Sequence, residues 1–172
     1  MPPLTWPYVH ITINHFPVVL STIGALAAMY ATIRKKRGPW LYAMATLTLA
    51  GLSVYPVYLS GDEADEFLHD PWYIGHGVID THLAAANFAL AALLITGAIA
   101  AYAWWRALRY RDEPIPRGIR IALLIFSVWS FSVIARTAYL GGKIIHESPV
   151  LELKNPPAGM PAQPPPTEKE GR

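Results

Sequence analysis

The chain has 172 residues, the length of one domain, with 53% apolar and only 15% charged residues and a formal charge of +2. It contains no cysteine, which excludes disulfides, thiolate metal sites, iron–sulfur clusters and covalently attached c-type haem. No Lys or Arg precedes Arg34 and none falls between Gly38 and Trp105, so helices in these stretches would be apolar on every face, with lipid as their solvent.

Four apolar runs follow one another along the chain, at about 8–33, 40–59, 78–105 and 119–140. Pro7 suits a helix start, and Arg34-Lys35-Lys36-Arg37 closes the first run. Pro17 cannot bond back to residue 13, so the first helix either begins near it or kinks there. Gly38-Pro39 breaks the chain before the second run, and Gly141-Gly142 stops the fourth. Each run is long enough, at 1.5 Å per residue, for a hydrocarbon core of roughly 30 Å. Between the second and third runs, Ser60-Gly61-Asp62-Glu63 has the form of a capping box and predicts a short surface helix to about Leu68. The tail after Glu147 carries seven prolines and reads as extended or disordered. The expected fold is all-α: an integral membrane four-helix up-down bundle over 1–147, with that surface helix in the outer loop, then a Pro-rich tail over 148–172.

Nine of the fourteen basic residues lie in two loops, Arg34 to Arg37 and Arg106 to Arg120. The loop from Ser60 to His82 has none and carries six carboxylates. By the positive-inside rule the basic loops are cytoplasmic, and both termini are outside. In a bacterial inner membrane they would be periplasmic. The first run has no basic residues before it and basic residues after it, so it reads as a retained span, not a signal peptide.

All six histidines (His10, His15, His69, His76, His82 and His146) fall at or near the outer surface. A histidine within a membrane helix calls for a partner or a function. His10 and His15 are five residues apart, about 140° around a helix, so only one of them faces a given ligand. Helices 1 and 3 run in the same direction and lie diagonally in an up-down bundle, with room for a cofactor between them. Three readings stay open. The first is haem b, with His15 and His82 as axial ligands, Arg136 as a propionate partner and His146 as an alternative ligand. In that reading Ser21, Gly24, Ala25 and Ala28 face Ala85, Ala86 and Ala89 across the porphyrin, although ordinary close helix packing explains the same small residues. The second is copper or zinc held by His76, His82 and His146 with Asp80 or Glu147. The third is no cofactor, with the histidines at an interface. No Walker loop, Gly-x-Ser-x-Gly or His-Glu-x-x-His is present, and nothing suggests nucleic acid as a partner.

Four segments in order resemble a family of small bacterial membrane proteins catalogued as domain of unknown function 2231. They are Asn14-His15-Phe16-Pro17-Val18-Val19-Leu20, Leu59 through Glu66, Ile79 through Ala85, and Gly141-Gly142-Lys143-Ile144-Ile145-His146. The resemblance spans roughly residues 8 to 147. It implies four helices and singles out His15, His82 and His146, but it implies no activity. The leading expectation from the residues is a b-type electron-transfer subunit, not an enzyme on its own, that serves a larger membrane complex or a soluble cytochrome. The rival expectation is a non-catalytic accessory subunit.

Overall fold

The computed structural model describes residues 5–68 and 76–146. The expected Pro-rich tail and His69 lie outside the described residues. Five helices follow in order: α1 Trp6–Ile13, α2 His15–Arg34, α3 Arg37–Leu68, α4 His76–Arg109 and α5 Arg117–His146. The α1–α2 pair, α3, α4 and α5 give four helical segments long and apolar enough to cross a membrane. No strand occurs among the described residues. Helices α2, α3, α4 and α5 form a closed ring in which each packs on its two neighbours; α2 and α4 are therefore diagonal, and α1 lies against α3. This is the expected up-down bundle.

The break between α1 and α2 falls at Asn14, three residues before Pro17. Proline lacks the N–H that would bond to Ile13, and the helix is interrupted one residue after that unpaired carbonyl. Helix α3 carries Pro56 in its interior and still runs unbroken for 32 residues, about 48 Å.

One expectation changes in detail. Residues 60–68 are helical, but as the last turns of α3 and not as a separate surface helix. Ser60 caps nothing: its hydroxyl donates back to the Val57 carbonyl at 2.7 Å, inside a continuing helix. The acidic side chains Asp62, Glu63, Asp65 and Glu66 are exposed along this extension. The other helices also outrun the apolar runs, because hydropathy marks where a helix meets lipid, not where its backbone bonding ends.

The interior is built from small residues. Ala28, Ala31, Ala43, Met44, Leu47, Ala100 and Leu123 pack one end of the bundle, and Ala50, Val54, Ala89, Leu93 and Ile134 the other. At mid-bundle α3 and α4 touch through Gly51 and Gly97, where a Cβ on either would stand 2.8 Å from the other's Cα. Such close approach lets dispersion act along the whole seam, the main cohesive force between helices in lipid. Hydroxyls add cross-links: Thr96 donates to Ala92 O at 2.7 Å and to Phe126 O at 3.2 Å, and Thr137 donates to Ala85 O at 3.1 Å. Large apolar side chains such as Leu52, Phe88, Ile125 and Tyr139 point outward and are exposed. A bundle that is small inside and bulky outside is the pattern of a membrane protein.

Candidate functional site

Two histidines, one from each half of the chain, are held in the same way at the end of the bundle opposite the basic turns. The His10 Nδ1–H donates to the Val57 carbonyl at 3.1 Å, with Ser60 Oγ also in reach at 3.0 Å. The His82 Nδ1–H donates to the Thr137 carbonyl at 3.1 Å. Each carbonyl lies one helical turn before a glycine, Gly61 in α3 and Gly141 in α5, and each imidazole rests on that glycine. A Cβ at Gly61 would come within 2.9 Å of His10 Cε1, and one at Gly141 within 3.0 Å of His82 Cε1. Thus α1 docks on α3, and α4 on α5, through the same histidine–glycine contact.

The carbonyls fix the chemistry of both rings. A carbonyl can only accept, so each Nδ1 carries a proton, and in the neutral ring Nε2 then keeps the lone pair through which an imidazole binds a metal. Metal-bound histidines are oriented by this kind of outer hydrogen bond. Both rings are half-buried. One turn beyond His10 on the same face, Asn14 closes α1 by donating its N–H to the His10 carbonyl at 2.9 Å, and its own Oδ1 is buried without a partner. A buried amide oxygen with nothing to accept from is uncommon.

The expected ligands fare unequally. His82 is half-buried, with its ring against α5. His15 does not join it: His15 is exposed at the first turn of α2, while His10 is half-buried against α3. The angular separation of the two histidines required one to be outside, and the structure places His15 there. Arg136 is exposed on α5, one residue before Thr137, on the outside of the bundle and not between the helices. The side chains of His76 and His146, at the ends of α4 and α5, lie outside the described residues, as does Glu147. Among the described residues no group of three or more His, Asp or Glu side chains is placed to hold a metal ion.

The small residues proposed to flank a porphyrin are occupied with packing. Ser21, Gly24, Ala25 and Ala28 are buried in α2, and a Cβ on Gly24 would collide with Leu47 at 2.6 Å. Ala85 and Ala89 are likewise buried in α4. They set how closely the helices approach, which is the ordinary role of small residues in membrane bundles. Any group held by the histidines belongs above this packing, at the helix ends. Sequence reasoning missed Gly61 and Gly141 as sockets, because a glycine beside Ser, Gly and Asp reads as a helix end. The signal that could have found them is a glycine within helix reach of each half's first inward histidine.

No protein-family model matches the chain, and neither a curated protein nor a solved structure matches it.

Proposed function

We propose that this membrane protein is an electron-transfer subunit in which His10 and His82 hold a b-type haem at the histidine end of the bundle. The observation that carries the reading is the duplicated arrangement, in which two imidazoles on separate membrane segments each have Nδ1–H tied to a carbonyl and Nε2 left as a lone pair. Two such nitrogens are the donor set of a bis-histidine haem, whereas a bare zinc or copper site usually asks for more ligands. The glycine sockets hold each ring in a fixed orientation. When bound, the haem supplies a one-electron couple, and the protein's part is to fix the ring orientations and limit water.

Orientation follows from charge. With the basic turns cytoplasmic, as the positive-inside rule directs, the histidine end and both termini face the periplasm of a bacterial inner membrane. The exposed Asp62, Glu63, Asp65 and Glu66 then offer a basic redox partner an acidic surface on that side. A second reading rests on the same bonds: a histidine docked on a glycine and a carbonyl also staples two helices, which is all that an accessory subunit of a larger membrane complex would need.

A reduced-minus-oxidised visible spectrum of protein purified from its native membrane, with pyridine haemochrome stoichiometry, separates the two. The cytochrome reading expects a b-type α-band near one haem per chain, lost in His10→Ala and in His82→Ala and kept in His15→Ala. Haem-free protein with a folded bundle leaves the accessory reading.

A further inference from the structure

The opposite end of the bundle carries the basic turns, and nothing there depends on the haem reading. A cleft of about 380 Å³ opens where the α2–α3 turn meets the α4–α5 loop and the start of α5. Five of its ten lining residues are basic and two are acidic. The two carboxylates do not neutralise it, for Glu113 is already paired with Arg106 at 2.9 Å and Asp112 alone cannot offset five cations. Arg37 is used internally, donating to the Glu113 and Ala107 carbonyls and so fastening the α4–α5 loop to the start of α3. Arg111 donates to the Leu108 carbonyl at 3.3 Å, and Lys35, Lys36 and Arg120 remain around the opening.

Two buried donors point the same way. Among the described residues only three buried side-chain nitrogen or oxygen atoms lack a partner, and two of them, Trp40 Nε1 and Arg120 Nε, belong to residues lining this cleft. Trp40 is 3% exposed. An N–H shut away from water with no acceptor is costly, and both unmet needs are for an acceptor. Trp40 and Arg120 also sit in the first turns of α3 and α5, whose free backbone N–H groups and dipoles favour an anion.

We infer that this cleft binds the phosphate of an anionic membrane lipid, held by Lys35, Lys36 and Arg120 with the Trp40 indole N–H. A lipid fits better than free phosphate because an apolar groove of about 430 Å³, lined by Ile23, Leu26, Tyr30, Pro39 and Tyr42, starts at the same turn and runs along the α2–α3 seam. An acyl chain has a place to lie beside a head that has a place to bind. Basic pockets between helices on the cytoplasmic side are suited to such headgroups.

The test uses the full chain in a neutral detergent and follows its thermal midpoint while phosphatidylglycerol, phosphatidylcholine or inorganic phosphate is added. Phosphatidylglycerol should raise the midpoint by about 5 °C at saturation, and the other two should not. Lys36→Gln and Arg120→Gln should each remove more than half of that rise, and Trp40→Phe should reduce it. Arg109→Gln and Arg117→Gln, exposed cations at the same end but outside the cleft, should leave it intact. If these two variants weaken the rise as much as Lys36→Gln does, only diffuse charge attraction is present and the built site is wrong. An equal rise with inorganic phosphate overturns the lipid, and no rise with either overturns the anion.

Discussion

Gly141 and Gly142 are neighbours in one helix with opposite expected effects. A methyl on Gly141 runs into the His82 ring, whereas nothing lies within 4 Å of the Cβ position at Gly142. Gly142→Ala should therefore stabilise the protein by about 0.5–1 kcal/mol, the helical advantage of alanine over glycine. Gly141→Ala should destabilise it by about 1–3 kcal/mol, because the imidazole must leave its carbonyl or the helices must part. Gly61→Ala should act as Gly141→Ala does, through His10. Paired unfolding measurements in detergent check the signs, and equal effects at 141 and 142 would show that the ring is not seated there. The same residues show what could be read in the sequence. Geometry around a helix established that His10 and His15 diverge, but not which of them faces inward. That choice depends on a glycine 51 positions beyond His10 in the chain.

The helices themselves were legible because lipid demands an apolar outer surface over a fixed length, and that demand is written in every residue of the run. Their ends were not. Past the hydrocarbon, charged side chains are tolerated on a helix, so the stretch from Asp62 to Glu66 reads as a separate surface helix while continuing α3. The Ser60 capping box failed for a related reason: its hydroxyl had a nearer acceptor in its own helix. Helix crossings also escape a single sequence, since no local pattern pairs Gly51 with Gly97. Here the obstacle is backbone, which cannot rotate away as the Leu47 side chain beside Gly24 can. Gly51→Ala and Gly97→Ala should each cost about 3 kcal/mol, at the upper end of overpacking, and Gly24→Ala less. The turn between α2 and α3 behaves in the reverse way. Lys35 closes α2 in the left-handed region at φ 52°, with its N–H on the Ala31 carbonyl at 2.9 Å, a position that favours glycine. Lys35→Gly should gain about 1 kcal/mol of stability in lipid-free detergent. If Lys35 serves the lipid phosphate, the same variant loses part of the phosphatidylglycerol effect, and that opposition of signs separates turn strain from binding.

At the scale of the whole molecule, charge and chemistry are sorted to opposite ends of the bundle. The turns rich in Lys and Arg meet at one end, and the two seated histidines and the acidic extension of α3 gather at the other. An up-down bundle brings this about by itself: alternate connections fall on the same side, so a charge bias written into two turns becomes a property of one membrane face. Both site proposals depend on which face that is, since a redox partner must reach the histidine end and an anionic lipid the basic end. The chain has no cysteine, so a single one can be introduced as a unique label. Asp65 and Asp112 are both exposed, one near each end. A membrane-impermeant thiol reagent applied to intact bacterial spheroplasts should label Asp65→Cys, and should label Asp112→Cys only after the membrane is opened. The reverse pattern would place the histidines in the cytoplasm and remove a periplasmic partner, although the haem spectrum could still be positive. Labelling of both before lysis would mean that the basic turns do not fix a single orientation, against the asymmetry of nine basic residues in two turns and none in the opposite loop.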